Sequence, residues 1–360
     1  MKKNKIDAVN RFLSIYTKFF GNLKDINRLG SEQTFQSIVI YSSTALGDLM
    51  FNTPAIHALK QRYPTAKLTL VSSEKNRHLV ENSSYFDKII YWDNKVKDIF
   101  SLVFRLRKMK PELSVILHSR IPYDVLSAVL SGSQYIVRDN YSCDGDYMNQ
   151  WVYCHQGCYD GHLIQRKLDL LTVLGCDNRD THMHIPVRFD SLPVVSNKTL
   201  IGFQMGASEE LRCWPRERFV ALARKLFSLD GRYHIVLIGS AKEKNLEQRF
   251  LAELLPEQQQ RVTSYIGKTT LPQLLGIIQQ LDVLITGDTG PLHLAVALQT
   301  RTVSLFYTAN PQHTGPYQDP EFHRIIYINS DEHKELLSSH FPLGAIGTEQ
   351  VYNLLCEVLP

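Results

Sequence analysis

Short apolar runs, each ended by a small polar turn and followed by a stretch with helical spacing, recur from residue 38 almost to the C-terminus. A parallel strand can be reached from its neighbour only through a crossover, usually a helix, so this alternation commits the chain to doubly wound α/β sheets. The first series reads as strands at 38–41, 67–71, 88–91 and 113–117, with helices at 54–63, 96–109, 122–130 and 162–174. A second begins with a strand at 200–204 and continues through helices at 216–229, 243–255, 271–279 and 291–298 and strands at 234–238, 283–286 and 301–306. At 360 residues the chain exceeds what one core organises, and two α/β domains follow.

The turn-forming residues at 186–198, among them Pro186, Pro193, Ser196 and Asn197, read as a linker. The domains are therefore expected at 36–190 and 198–345, two Rossmann-like halves facing a central cleft. A last helix at 348–358 has no strand to cross to; residues 346–360 are read as packing back toward the first domain. Residues 1–35 stand apart. Apolar side chains at Ile6, Val9, Phe12, Leu13, Tyr16, Phe19, Phe20, Leu23 and Ile26 keep three-four spacing, and Lys2, Lys3, Lys5, Arg11, Lys18, Lys24 and Arg28 add positive charge. Lys18 interrupts any signal-peptide core and no small-residue cleavage site follows. A basic amphipathic helix of this kind either lies on an anionic lipid surface or docks on its own domain.

Composition excludes several classes. A net charge of +4 is too small to point to nucleic acid. No apolar stretch reaches the ~18 residues that would span a bilayer, and six scattered cysteines suit a reducing, cytoplasmic setting rather than a disulfide framework. Cys154 and Cys158 bracket His155, but without a second pair at metal-ligand spacing the segment reads as a loop. Neither G-x-G-x-x-G nor a P-loop is present, which removes support for dinucleotide and P-loop chemistry.

Three segments can carry chemistry. Gly287-Asp288-Thr289-Gly290-Pro291-Leu292-His293 follows a strand and opens a helix, whose amides and positive dipole suit an anion. Gly290 permits close approach of a phosphate, and His293 stands one turn in; the bland alternative is an ordinary capped helix with a core histidine. Ala45-Leu46-Gly47-Asp48 also lies between strand and helix, with Asn52-Thr53-Pro54 read as opening the helix. Asp48 is then displayed where ligands of open α/β sheets bind and can act as a general base, or is merely a cap. Gly206-Ala207-Ser208 gives room for a diphosphate, and Arg212, ahead of Trp214-Pro215, can neutralise charge on a departing one. Trp214 reads as a packing anchor.

Together these segments, with Tyr63-Pro64 and Pro311-Gln312-His313-Thr314-Gly315-Pro316-Tyr317, resemble the heptosyltransferases of bacterial lipopolysaccharide core assembly, glycosyltransferase family 9. The resemblance runs from about residue 38 to residue 317. It implies a GT-B fold and inverting, metal-independent transfer of a heptose from ADP-heptose to an inner-core sugar on a lipid-linked oligosaccharide. Asp48 would be the base. Asp288, Thr289, Gly290 and His293 would bind the donor's sugar and diphosphate, Gly206, Ala207, Ser208 and Arg212 the phosphate side, and Glu243 the ribose. Ser42 and Cys213 stand where many members carry basic residues, and the N-terminal helix is absent from the simplest members. Arg120, beside Ser119, is the candidate for acceptor anions. No cofactor or metal is implied, and the setting is cytoplasmic, with residues 1–29 available to the inner-membrane surface.

Other readings stay open: a GT-B transferase using another nucleotide-diphosphate hexose, or a noncatalytic nucleotide- or glycan-binding protein. Asp144-Gly145-Asp146 has the D-x-D form of metal-dependent transferases, but it sits in a turn-rich loop with no second acidic cluster.

Overall fold

The computed structural model describes residues 2–139, 148–154, 159–189, 197–330, 332–333 and 340–359. Asp144-Gly145-Asp146, His155 and Cys158 lie outside them. The chain divides into two compact units, Met1–Val187 and Arg188–Pro360, so the break falls at the start of the expected linker.

The first unit opens with α1 (Lys2–Phe19) and continues β1 (Ser37–Ser42), α2 (Leu46–Arg62), β2 (Lys67–Ser72), α3 (Arg77–Val80), β3 (Lys88–Tyr91), α4 (Ile99–Arg107), β4 (Leu113–His118), α5 (Tyr123–Ser131), β5 (Tyr135–Arg138) and α6 (Leu163–Leu171). The five strands are all parallel, in the order β3-β2-β1-β4-β5. Strand order reverses between β1 and β4. Over one face of the sheet, α1, α4 and α5 share a core with Val39, Tyr41, Val71 and Ile116, while α2 packs on α6.

The helix expected at 54–63 begins eight residues earlier, at Leu46. Pro54 sits inside it rather than at its start. A proline there cannot donate to the carbonyl four residues back, and the hydroxyl of Thr53 takes that carbonyl instead, donating to Met50 O at 2.7 Å. The sequence Asn52-Thr53-Pro54 therefore looks like a helix start and is a repaired interior.

The second unit comprises β6 (Thr199–Phe203), α7 (Arg216–Leu229), β7 (Tyr233–Leu237), α8 (Lys244–Ala252), α9 (Pro256–Gln259), β8 (Val262–Ser264), α10 (Leu271–Ile278), β9 (Val283–Gly287), α11 (Gly290–Ala297), β10 (Arg301–Phe306), α12 (Pro311–Thr314), β11 (His323–Tyr327) and α13 (Thr348–Val358). Its six strands are parallel, in the order β11-β10-β9-β6-β7-β8. Here the order reverses between β6 and β9. Strands β5, β8 and β11, not anticipated, are sheet-edge or near-edge segments of three to five residues. The terminal helix α13, read as packing back toward the first domain, buries Val351, Leu355 and Val358 in the core of its own unit, against α7 and β10. Trp214 is the anchor its position suggested: it is buried edge-on to Phe219, with its indole N–H donated to Ile346 O at 3.0 Å.

Candidate functional site

In open parallel sheets, the loops leaving the strands on either side of the order reversal separate and leave room for a ligand. Both units place their candidate residues there.

In the first unit, Asp48 is the third residue of α2, directly after β1. Its carboxylate accepts from the Ala45 amide at 3.1 Å, and its side chain keeps 27% of its exposure. The cap reading is met by one oxygen, Oδ2, which holds the helix start and leaves the other outside the cap. That other oxygen, Oδ1, lies 3.5 Å from Nδ1 of His118, the last residue of β4. Burial pushes the His118 imidazole down to about 4 against the pull of Asp48, so it is neutral at pH 7. Behind it stands a buried charge network. Arg166 and Lys167 from α6 meet Asp139 at 2.8 and 3.4 Å, and burial lowers the Lys167 ammonium while Asp139 and Asp48 raise it. Arg120 lies two residues beyond His118, exposed, its amide donating to Asn94 Oδ1 at 3.4 Å.

None of His118, Asp139, Arg166 or Lys167 was singled out from sequence. A signal existed for Lys167: with Ile164, Leu168 and Leu171 it keeps three-four spacing, which puts a lysine at a core position. His118 gave a weaker one, a polar residue closing an apolar strand.

In the second unit the loop leaving β6 and the turn leaving β9 interlock. Buried Gln204 donates to Gly206 O, and its Oε1 accepts from Thr286 at 2.6 Å and Thr289 at 3.0 Å. Thr289 is the N-cap of α11, but its hydroxyl goes to Gln204 instead of capping the helix. The first-turn amides therefore keep their pull on an anion. Arg212 Nη1 is 3.4 Å from Asp288 Oδ2, and His293 Nε2 is 3.8 Å from Asp288 Oδ1, so one buried carboxylate orients both side chains. Gly287 is required for this arrangement, since a Cβ there would strike the Arg212 carbonyl.

Glu243 closes the group. It follows β7, and its Oε1 accepts from the Ser240 amide and hydroxyl at 2.9 and 3.0 Å. A Cβ on Gly206 would fall 2.5 Å from its carboxyl carbon, and one on Gly239 would meet the same carboxylate, so two glycines make the slot in which this side chain lies. Its Oε2 is buried and has no hydrogen-bond partner among the described residues. A buried carboxylate oxygen in that state suits a ligand hydroxyl. Ala207 presents its backbone to the Cys213 thiol, which burial raises, and Ser208 is exposed on the same loop. Gly206, Arg212, Glu243, Asp288, Thr289, Gly290 and His293 are thus gathered at the carboxyl ends of β6, β7 and β9. Among the described residues, the one group that could hold a metal ion is His57, Asp180 and His184, which includes none of these.

Residues 164–336, which contain this whole assembly, match the model of glycosyltransferase family 9 (heptosyltransferase). Over that span the chain is similar to glycosyltransferase family 9. It is 25% identical over 278 residues to the lipopolysaccharide heptosyltransferase 3 of Escherichia coli, covering 72% of this chain and 80% of that one. A family 9 glycosyltransferase from Veillonella parvula has the same fold, with a TM-score of 0.76 at 21% identity, over 91% of this chain and 98% of that one. The E. coli heptosyltransferase WaaC, solved with ADP-2-deoxy-2-fluoro heptose, gives 0.67 at 15% identity, over 89% and 99% of the two chains. The matched residues 164–336 hold every candidate on the donor side, while Asp48 and Arg120 lie outside them.

Proposed function

We propose that this glycosyltransferase moves a heptose from ADP-heptose to an inner-core sugar of lipopolysaccharide or lipooligosaccharide, with inversion at the anomeric carbon. The observation that carries the reading is the open Oε2 of Glu243, set in the same loop cluster as Arg212 and the first turn of α11. A vicinal-diol ribose would satisfy that oxygen, while the arginine and the helix amides take a diphosphate. ADP-sugar binding by the solved E. coli relative supports this assignment.

In the proposed mechanism Asp48 removes the acceptor hydroxyl proton as that oxygen attacks the anomeric carbon, and the bond to the diphosphate breaks. Arg212, His293 and the amides at Thr289 and Gly290 stabilise the departing charge, the task that a divalent ion performs in metal-dependent transferases. Asp288 holds Arg212 and His293 in place. His118, Lys167 and Asp139 position the Asp48 carboxylate from behind. Gly206, Ala207 and Ser208 line the phosphate side, and Arg120 takes an anionic group of the acceptor. The acceptor is lipid-linked, and the enzyme acts on it at the cytoplasmic face of the inner membrane.

The test is incubation of the purified protein with ADP-heptose and a lipopolysaccharide truncated before its heptoses, read by mass. One added heptose and an equivalent of ADP are expected. Transfer from a UDP-hexose with none from ADP-heptose would overturn the donor assignment.

A further inference from the structure

The apolar residues of α1 divide into two sets. Ile6 and Leu13 are buried in the first unit's core, which settles that the helix docks on its own domain. Phe12, Ile15, Phe19 and Phe20 point the other way and are 49–73% exposed. Helix α4 shows the same division: Ile99, Leu102, Val103 and Leu106 are buried, while Phe100 and Phe104 stand 77% and 62% exposed. The two helices are neighbours. Tyr16 packs with Ile99 and Val103, and its hydroxyl accepts from Arg107 Nη2 at 2.9 Å. Because α1 and α4 bury their inner sides over one face of one sheet, their outward sides face the same way. Of the thirteen large apolar side chains exposed among the described residues, seven lie on these two helices, directly after α1 (Phe20) or in the turn before α4 (Val96).

Charge decides what covers such a face. Residues 2–19 and 96–108 contain nine Lys and Arg against Asp7 and Asp98. Exposed Arg11 and Lys18 flank the phenylalanines of α1, and the Lys108 ammonium stands 4.4 Å from the Phe104 ring centre. Aromatic rings ringed by snorkelling cations match the boundary between acyl chains and acidic headgroups. A second copy of this chain would bring the same positive charge against itself.

We propose that the outward faces of α1 and α4 together form a docking surface for a bilayer rich in anionic phospholipid. This deepens the reading of a lipid-linked acceptor, and it enlarges the surface from the N-terminal helix to a two-helix face. No helix is long and apolar enough to cross a membrane among the described residues, so the binding is interfacial.

The experiment is co-sedimentation of the full chain with vesicles of phosphatidylcholine alone or mixed with phosphatidylglycerol, without donor or acceptor. Binding to the mixed vesicles only, released by salt, is expected. Phe100→Ser with Phe104→Ser should weaken it by about tenfold or more, and so should Phe19→Ser with Phe20→Ser. Lys18→Glu with Lys108→Glu, which leaves the apolar residues in place, should weaken it similarly. Melting curves of these exposed-site variants should match the parent. Failure to sediment with anionic vesicles overturns the proposal, as does a dimer that the phenylalanine variants dissociate without any vesicle binding. Binding untouched by the α4 pair overturns the two-helix surface. Because no sugar is present, loss of heptosyl transfer with intact vesicle binding would sink the donor reading and leave this surface standing.

Discussion

His118 Nδ1 stands 3.5 Å from Asp48 Oδ1, where the loops after β4 and β1 part at the order reversal of the first sheet. The imidazole is neutral because burial outweighs its carboxylate neighbour. The pair therefore couples an acid–base group to a residue whose protonation is decided by folding.

That coupling fixes a pH dependence. The folded imidazole titrates at about 4, against about 6.5 when unfolded. Between those values the unfolded chain binds a proton that the folded chain refuses. Stability from this group is thus complete above about 6.5 and is lost as pH falls toward 4. Replacing His118 with Gln should flatten the decline in melting temperature across that window relative to the parent. Parallel declines in the two proteins would refute the assignment.

Asp48→Asn keeps the size of the side chain and an oxygen able to accept from the Ala45 amide, but it removes the base. Turnover should fall by about two orders of magnitude or more. ADP affinity, measured by calorimetry, should be unchanged, because the donor is assigned to the second unit. A variant with near-parental turnover would remove Asp48 from the mechanism.

Glu243 and Gly206 should fail in the same way. Glu243→Ala removes the carboxylate proposed for the ribose, and Gly206→Ala pushes a methyl group into it, 2.5 Å from the carboxyl carbon. Each should weaken ADP binding by about tenfold, the worth of a charge-assisted hydrogen bond. The effect should appear in KM for the donor more than in kcat. Undiminished ADP binding by Glu243→Ala would show that its open oxygen serves something else.

Arg212 is held by Asp288 at 3.4 Å beside the uncapped start of α11. If it neutralises the leaving diphosphate, Arg212→Ala should lower kcat by about 10²-fold, within the range for loss of one preorganised charge-stabilising donor, and Arg212→Lys should restore part of it. Full activity in excess chelator is expected, since the arginine and helix amides carry the charge. A strict requirement for a divalent ion would reassign that role.

The second unit was the more legible half, and the reason is local. Its candidates sit in turns directly following strands, where glycine, a capping residue and a basic side chain are close in sequence. Arg216–Leu229 and Arg301–Phe306 came out with their observed limits because their periodicities are uninterrupted. Glu243 was placed through resemblance alone; the slot that holds its carboxylate is built by Gly206 and Gly239 from different loops, which no short spacing reveals. In the first unit, the Asp139–Lys167–Arg166 network joins residues more than twenty positions apart, through tertiary packing. Helix α1 was read as facing either lipid or protein, when its two sets of apolar residues permit both.

Helix α2 is where local rules misled, and it supplies a stability test. Proline lowers helix stability by about 3 kcal/mol in an interior position, partly through the hydrogen bond it cannot make. Pro54 leaves the Met50 carbonyl without its usual donor, and Thr53, buried, donates its hydroxyl there at 2.7 Å. The same Thr53 oxygen accepts from the His184 amide at 2.9 Å, tying the end of the first unit to the helix. Thr53→Val preserves shape and removes both bonds, stranding two backbone groups, and should destabilise the protein by about 2–4 kcal/mol at roughly 1–2 kcal/mol per unsatisfied group. Chemical denaturation should show this as an earlier transition of the first unit. Thr53→Ser, which keeps the hydroxyl, should lose much less. Equal stabilities of the Val and Ser variants would mean that α2 tolerates its proline by some means other than this side chain.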